Sequence, residues 1–237
     1  MPRAVLFDLD DTLFDHRCSS RAALKEVHAR HAADADFDAF ERHHTQYLEE
    51  MHVEVLAGRI GLDDARRERF RRVFLALGVA LAPGDVDAVA TAYRSGYVQA
   101  RRPIDGAVEL LAAVRPHARI AIVSNNLADE QRDKLQFCGL SAYVDVLMVS
   151  EEAGVSKPEP RIFEMALARL DVAAHDAVMV GDSWAADVIG ATRAGIRAVW
   201  FNPRRAAQPD QPPGVAHIHS LSPPATVISV LFNQRAA

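Results

Sequence analysis

The stretch AVLFDLDDTLFD, residues 4–15, decides the fold of this chain. Its first four residues form a short, continuous apolar run, which is typical of a strand buried in a parallel sheet. Four carboxylates then follow within eight residues: Asp8, Asp10, Asp11 and Asp15. Like charges this close repel one another unless a cation lies among them, so the end of this strand is a candidate ligand site.

The composition is that of an ordinary globular protein. Of the 237 residues, 49% are hydrophobic and 25% are charged, which allows one large domain or a core with a smaller domain. The formal net charge of −5 disfavours nucleic acid and anionic membranes as partners. Lysines are scarce: the chain contains only Lys25, Lys134 and Lys157.

Three features indicate where the protein works. The two cysteines, Cys18 and Cys138, lie far apart and outside any metal-type spacing, as expected for reduced thiols in the cytosol. The first apolar run is interrupted by Asp8 and does not resemble a secretory signal. No run approaches the ~18 apolar residues of a membrane helix. We therefore expect a soluble, cytoplasmic protein, and the sequence is compatible with either a monomer or a homodimer.

Residues 16–99 show helical periodicity throughout. Apolar residues recur at i, i+3, i+4 and i+7, as at Phe70, Val73, Phe74 and Leu77. Breaks near residue 34, at 58–61 and at 82–84 divide the segment into about four amphipathic helices, enough for a small bundle. Five arginines crowd one helix, and helical spacing predicts that they are mostly solvated: Arg66, Arg67, Arg69, Arg71 and Arg72.

From about residue 103 the pattern alternates between helix and short apolar strand. The predicted strands are 119–123, 144–149, 177–180 and 198–201, and the predicted helices are 104–114, 128–137, 160–170 and 185–194. A loop at 203–214 precedes a final strand, 215–219, and a helix, 224–232. This alternation predicts an α/β fold, a Rossmann-like doubly wound parallel sheet. The core would comprise residues 1–15 and 100–237, with a helical domain, 16–99, inserted after the first strand.

Polar residues follow each of the first four strands. The four stretches are DLDDT (8–12), SNN (124–126), GVSKP (154–158) and GDS (181–183), the last followed by Asp187. Because ligands bind at the carboxyl ends of strands in such sheets, these side chains should converge. Oxygen ligands without His or Cys favour Mg²⁺, and a lysine and a hydroxyl suit a phosphate. Turn-capping aspartates would explain one strand end but not four.

Four segments, in this order, resemble the haloacid dehalogenase-like hydrolase superfamily: FDLDDT (7–12), VSNN (123–126), SKPEP (156–160) and GDSWAAD (181–187). The resemblance covers essentially the whole chain, and the helical insert is similar to the cap domain of that superfamily. It implies that Asp8 is the nucleophile that becomes an aspartyl phosphate. It also implies that Asp10 is the general acid and base. The implied Mg²⁺ ligands and supports are Asp8, the carbonyl of Asp10, Asp182 and Asp187.

The resemblance also implies which residues hold the phosphate. Ser124 and the backbone N–H of Asn125 would bind the transferring phosphoryl group. Lys157 would neutralise both nucleophile and phosphate, and Thr12 would orient the first loop. A carboxylate nucleophile suits this chemistry because it is ionised near neutral pH.

The implied reaction is hydrolysis of a small phosphorylated metabolite, a nucleoside monophosphate or a sugar phosphate. The dehalogenases of the superfamily lack a carboxylate at the position of Asp10, so its presence disfavours dehalogenation. A phosphomutase shares all four motifs and stays open as an alternative. A non-catalytic protein that binds a phosphorylated ligand is a third alternative, disfavoured because every implied catalytic residue is present.

Overall fold

The computed structural model describes residues 1–82, 84–209 and 212–232. The chain divides into two compact units. We call Met1–Asp15 together with Arg102–Ala237 the core unit, and His16–Arg101 the helical unit. Pro83, in the predicted break at 82–84, and residues 210–211, in the predicted loop at 203–214, lie outside the described residues.

The described part of the core unit forms one parallel sheet of six strands. The strands are β1 (Ala4–Phe7), β2 (Arg119–Ser124), β3 (Val146–Val149), β4 (Ala177–Gly181), β5 (Arg197–Phe201) and β6 (Ala216–Ile218). Their order is β3-β2-β1-β4-β5-β6, so β1 lies between β2 and β4. Leu6 of β1 is in register with Ala121 and Met179. The carboxyl ends of these three strands therefore meet at one edge, and the predicted α/β class is confirmed.

The helical unit contains four helices among its described residues. They are α1 (His16–His31), α2 (Phe37–Leu56), α3 (Leu62–Ala76) and α4 (Asp85–Gln99). Aromatic side chains form much of its interior, and Phe40 packs edge-on against Phe74 at 5.7 Å between ring centroids. Across the described residues of the whole chain, no helix is both long and apolar enough to cross a membrane.

The arginine-rich helix α3 differs from the prediction at one position. Arg71 is exposed and Arg67 is half-buried, and both pair with carboxylates of the same helix, as expected for solvated side chains. Arg69 is only 6% exposed. Helical spacing explains this, because Arg69 lies four residues from Ala65 on one side and from Val73 on the other, and both are buried.

The core unit carries six further helices among its described residues. They are α5 (Ala107–Val114), α6 (Ala128–Phe137), α7 (Ser150–Ala153), α8 (Pro160–Leu170), α9 (Gly190–Arg193) and α10 (Pro224–Phe232). Helix α5 begins three residues later than predicted because Gly106 precedes it in the left-handed region, with φ of 86°. The prediction of one regular helix at 185–194 was wrong. A π-helical segment, Trp184–Ile189, comes first, and α9 follows it.

Helix α8 covers one face of the sheet. Its Phe163 is fully buried among Leu6 of β1, Met179 of β4 and other apolar side chains. Gly190 at the start of α9 leaves room for this ring, since a Cβ there would lie 2.7 Å from Phe163. The packing fixes α8, and with it the loop before α8, against the sheet.

We expect Phe163→Ala to lower the free energy of unfolding by about 3–5 kcal/mol, because it removes buried apolar surface and leaves a cavity. Phe137→Ala is the matched control, since Phe137 is 51% exposed; it should change stability by less than about 0.5 kcal/mol. Urea unfolding followed by circular dichroism measures both. Equal effects of the two substitutions would contradict the packing described.

Candidate active site

Asp8 is the first residue after β1. Its backbone N–H donates to the Val180 carbonyl at 2.9 Å, so the sheet's hydrogen bonding extends to it. The chain then turns sharply, and Asp11 takes a left-handed φ of 60°. Thr12 Oγ1 donates to Asp8 Oδ2 at 3.2 Å and accepts from the Asp182 N–H at 3.1 Å. Thr12 thus connects the loops that follow β1 and β4.

Lys157 is the cation of the site. Its Nζ donates to Asp8 Oδ1 at 2.6 Å and to Asp187 Oδ1 at 2.7 Å, and the residue is only 5% exposed. The Asn125 side chain fixes its backbone, because Nδ2 donates to the Lys157 carbonyl at 2.9 Å and Oδ1 accepts its N–H at 2.7 Å. The ammonium therefore links the end of β1 to the π-helical segment after β4.

Asp182 and Asp187 complete an acidic cluster with Asp8. One carboxylate oxygen from each of the three lies within 4.8 Å of the other two. Asp187 also accepts the Ser183 N–H at 3.0 Å through Oδ2. A Cβ at Gly181 would lie 2.2 Å from that same oxygen, so only glycine leaves room for Asp187 at the end of β4.

Burial and mutual repulsion disfavour ionisation in this cluster. Burial raises the pKa of Asp8 to about 7; Lys157 opposes this increase, and Asp187 adds to it. Burial, followed by the charges of Asp8 and Asp187, raises the pKa of Asp182 to about 8. Burial alone would lower the pKa of Lys157, but Asp187 and Asp8 raise it above its ordinary value. The ionised forms of Asp8 and Asp182 are thus disfavoured even with Lys157 protonated.

The donor set fits a hard divalent cation. All three side chains present carboxylate oxygens, which hard divalent cations prefer as ligands, and a bound cation would favour the ionised forms of Asp8 and Asp182 that burial disfavours. Lys157 already occupies Asp8 Oδ1 and Asp187 Oδ1. Asp182 is therefore the carboxylate of the cluster that is most readily offered to a metal.

The Asp10 carboxylate does not belong to this acidic cluster. Its Oδ1 accepts from Lys134 Nζ at 2.6 Å, and its Oδ2 accepts from Gln131 Nε2 at 2.9 Å and from Asn126 Nδ2 at 3.2 Å. Gln131 Nε2 also donates to Ser124 Oγ at 2.5 Å. These donors link Asp10 to the end of β2.

Sequence reasoning missed this group of donors around Asp10. Lys134 and Gln131 both lie on α6, three residues apart, and both are buried. The sequence offered one signal for this group, which is that lysine is rare in the chain. Lys134 is one of only three lysines, and it lies in the helix that follows the SNN stretch. A buried position for it would have pointed to a carboxylate partner.

A pair of tryptophans supports the loop after β4. Trp200 Nε1 donates to the Asp182 carbonyl at 2.8 Å. Trp184 packs edge-on against Trp200, with 5.0 Å between ring centroids. The Asp182 backbone is therefore held from two sides, by Thr12 and by Trp200.

The structure thus brings the eight residues selected from sequence to one edge of the sheet, in two connected groups. Asp8, Thr12, Asn125, Lys157, Asp182 and Asp187 form one group. Asp10 and Ser124 form the other, joined by Gln131.

The sequence matches the haloacid dehalogenase-like hydrolases over residues 2–195. The match covers most of the chain, so the protein belongs to this family, and the resemblance seen in the four motifs is confirmed. The chain is therefore an enzyme of the hydrolase class.

The chain is similar along most of its length to two phosphatases and to one solved structure. The ribulose-1,5-bisphosphate 5-phosphatase of Halopiger xanaduensis is 34% identical over 86% of each chain. The glyceraldehyde 3-phosphate phosphatase of Methanopyrus kandleri is 30% identical and covers 90% of this chain and 88% of its own. The magnesium-bound HAD-hydrolase YfnB of Bacillus subtilis has the same fold, with a TM-score of 0.76 at 23% identity, covering 97% of this chain and 98% of its own.

The pKa shifts predict how stability depends on pH. The ordinary pKa of an aspartate is 3.8, whereas the pKa in the folded protein is about 7 for Asp8 and about 8 for Asp182. Both side chains therefore stay protonated in the folded protein at pH values where they are ionised in the unfolded chain. Without a divalent cation, these groups make folding less favourable as the pH rises through that range. A cation binds the ionised forms, so Mg²⁺ should raise the thermal midpoint more at about pH 8 than at about pH 5.

Scanning calorimetry with and without Mg²⁺ measures this difference. Asp182→Asn should remove most of the gain at about pH 8, because it removes the carboxylate most readily offered to a metal. Asp129→Asn is the control, since its side chain is fully exposed and lies on α6. An equal gain at both pH values would contradict the assignment of these raised pKa values.

Proposed function

We propose that the protein is a Mg²⁺-dependent phosphomonoester hydrolase that acts on a small phosphorylated metabolite through an aspartyl-phosphate intermediate on Asp8. The observation that carries the proposal is the buried ammonium of Lys157, 2.6 Å from Asp8 Oδ1 and next to the acidic cluster. A carboxylate held beside a fixed cation is suited to attack an anionic phosphorus centre. The family and the names of the phosphatase relatives agree with it.

In the first step Asp8 attacks the phosphorus atom, a P–O bond forms to its carboxylate, and the P–O bond to the leaving group breaks. Lys157 reduces the repulsion between the nucleophile and the phosphate. Ser124 and the N–H of Asn125 hold the phosphoryl oxygens, and Thr12 keeps the Asp8 carboxylate oriented through its hydrogen bond. The leaving oxygen takes a proton from Asp10.

In the second step water attacks the phosphorus atom and releases inorganic phosphate and free Asp8. Asp10 accepts a proton from that water as the general base. The contacts from Lys134, Gln131 and Asn126 suit an ionised carboxylate, which is the form that accepts a proton. For the first step Asp10 must carry a proton, and the proton that it accepts from water in the second step restores this form for the next turnover.

Asp8, the carbonyl of Asp10, Asp182 and Asp187 would hold or support the Mg²⁺ ion. When bound, the ion supplies charge neutralisation for the phosphate oxygens. Oxygen-only donors and the raised pKa values of Asp8 and Asp182 support this choice of metal. We propose that the helical unit is the inserted cap domain that the sequence resemblance implies; the division of the chain into two compact units supports this.

We propose a sugar phosphate or a nucleoside monophosphate as the substrate. Relatives that match along most of this chain are named for ribulose-1,5-bisphosphate and glyceraldehyde 3-phosphate, which favours sugar phosphates. The pyrimidine 5′-nucleotidase YjjG of Escherichia coli is 39% identical but over only 51% of this chain, which keeps nucleotides in the test.

The test is phosphate release from sugar mono- and bisphosphates, triose phosphates and nucleoside monophosphates, each with Mg²⁺ and with EDTA. We expect release that requires Mg²⁺ and is concentrated in one chemical class. A rearranged sugar phosphate without free phosphate would instead establish a phosphomutase. Binding without either product would establish a non-catalytic role.

Asp8→Asn should abolish phosphate release, because an amide is a far weaker nucleophile than a carboxylate. The isosteric change retains hydrogen-bonding ability, so the circular dichroism spectrum should be unchanged. Asp129→Asn, at an exposed position of α6, is the control and should retain full activity. Turnover in Asp8→Asn would overturn the assignment of the nucleophile.

Lys134→Met should lower kcat by about 10²-fold, because Asp10 loses the donor that positions Oδ1. KM should change by less than about twofold, since Lys134 acts through Asp10 and not on the substrate directly. Lys25→Met, on α1 and exposed, is the control. A change confined to KM, or lost activity that follows lost folding, would contradict this positioning role.

A further inference from the structure

The interior of the helical unit contains a charged group that the phosphatase mechanism leaves unexplained. Arg69 is 6% exposed, and its Nε has no hydrogen-bond partner among the described residues. The groups that act on its charge are Tyr93, Arg66 and Tyr97, none of which is a carboxylate. Burial lowers the pKa of Arg69, and the charge of Arg66 adds to the effect. A guanidinium without a counter-ion is costly to bury.

The other arginines of α3 show that carboxylates are available on this helix. Each of them forms an ion pair with an aspartate or glutamate; these pairs are Arg66–Asp63, Arg67–Asp64, Arg71–Glu68 and Arg72–Glu68. Arg69 is the exception among the described arginines of α3, and it is also the most deeply buried of them. The missing counter-ion is therefore specific to one position.

His44 adds a second buried nitrogen without a partner. It is 1% exposed, and its Nε2 has no hydrogen-bond partner among the described residues. Its ring lies 4.9 Å from Tyr93 and 5.5 Å from Phe70, measured between centroids. The Arg69 guanidinium contacts the same two rings, at 5.0 Å and 5.3 Å from their centroids. The two groups thus flank one aromatic pair.

Hydroxyl groups complete this polar interior. Tyr93 Oη lies 2.9 Å from Ser20 Oγ, and Tyr97 Oη lies 2.9 Å from His16 Nδ1. All four helices contribute, because Ser20 belongs to α1, His44 to α2, Arg69 to α3 and Tyr93 to α4. We call Arg69, His44, Tyr93, Tyr97 and Ser20 the Arg69 cluster. It contains hydrogen-bond donors and a cation but no carboxylate.

We propose that the Arg69 cluster is an anion-binding site for the carboxylate or phosphate group of a small molecule, with Arg69 as the principal ligand and His44 as the second. A planar guanidinium matches the oxygens of either group through paired hydrogen bonds. Bound anion would supply the missing counter-charge and satisfy Arg69 Nε and His44 Nε2. The site lies within the helical unit, and its existence does not depend on the proposed phosphatase activity.

The anion has two sources with the same chemistry. It is a second acidic group of the phosphorylated substrate, or it is a free anion that binds the helical unit and alters activity. Both sources predict binding at Arg69, and kinetics tells them apart.

The first experiment measures binding directly in the full chain. Malonate and inorganic phosphate serve as probes, and the side-chain NMR signals of ¹⁵N-labelled histidine report on His44, assigned with His44→Gln. We expect a saturable shift of the His44 signals in the wild type. In Arg69→Met the affinity should fall about 10- to 100-fold, the usual loss for charged hydrogen bonds. Arg71→Met, exposed on the same helix, is the control and should bind as the wild type does.

The melting temperature distinguishes an anion-binding role of Arg69 from a structural role, because the two roles predict opposite changes in Arg69→Met. Without added anion, Arg69→Met should fold and melt at or above the wild-type temperature, because an unpaired buried charge is replaced by an apolar side chain. Arg69→Lys keeps the charge but not the planar fork, and we expect it to bind malonate more weakly than the wild type. If Arg69→Met does not fold, the affinity of Arg69→Lys for malonate tests the anion site instead, and an affinity equal to that of the wild type would contradict it.

The second experiment identifies the source. If the anion belongs to the substrate, Arg69→Met lowers kcat/KM for monoesters that carry a carboxylate or second phosphate, and leaves p-nitrophenyl phosphate unaffected. If the anion is free, added malonate changes hydrolysis of p-nitrophenyl phosphate by the wild type but not by Arg69→Met.

No saturable shift of the His44 signals with either probe, together with equal substrate preference in Arg69→Met and the wild type, would overturn the anion site. The result for the anion site is independent of whether the protein releases phosphate. An enzyme without detectable phosphate release can still bind malonate, and an active phosphatase can lack the site.

Discussion

The buried ammonium of Lys157 is the contact on which the site depends. It joins Asp8 and Asp187 at 2.6 Å and 2.7 Å, in a place where neither carboxylate is well solvated. Removal of this cation would leave two buried carboxylates within 4.8 Å of each other without their counter-ion, which is strongly destabilising. Asp8 and Asp187 meet because β1 lies beside β4 in the sheet, and the loop between α7 and α8 brings Lys157 to them. The order of the strands in the sheet therefore determines which side chains meet at the site.

The first loop separates two aspartates that lie only two residues apart. Asp8 faces Lys157, whereas Asp10 faces Lys134. Two of the three lysines of the chain are therefore each assigned to one aspartate of the same loop. The left-handed turn at Asp11 and the Thr12 hydroxyl, which binds Asp8 and the Asp182 N–H, maintain this separation. Two carboxylates of one sequence motif acquire different environments, which is the physical requirement for different chemical roles.

Much of the core unit could be predicted from sequence because its signals are local. Apolar runs located the strands, and the polar residues after them located the site, since parallel strands share their carboxyl ends. Lys134 was missed because its contact with Asp10 spans 124 residues. The π-helical segment at Trp184–Ile189 was missed because Ser183 accepts from both Asp187 and Val188, a pattern that apolar periodicity does not encode. The burial of Arg69 was missed because a charged residue on an apolar face resembles a solvated one in sequence.

The ends of the helical insert have a consequence for how the chain folds. Asp15 pairs with Arg102 at 2.7 Å, and its N–H donates to the Arg102 carbonyl at 3.1 Å, while Phe14 bridges to Pro103. The core unit itself therefore fastens together the two points where the chain leaves and returns. Entropy loss on closing a loop grows only with the logarithm of its length, so this fastening costs nearly the same for inserts of very different size. The length of the segment between residues 15 and 102 therefore has little effect on the free energy of forming the sheet. The register of the strands should therefore not depend on the length of the helical insert.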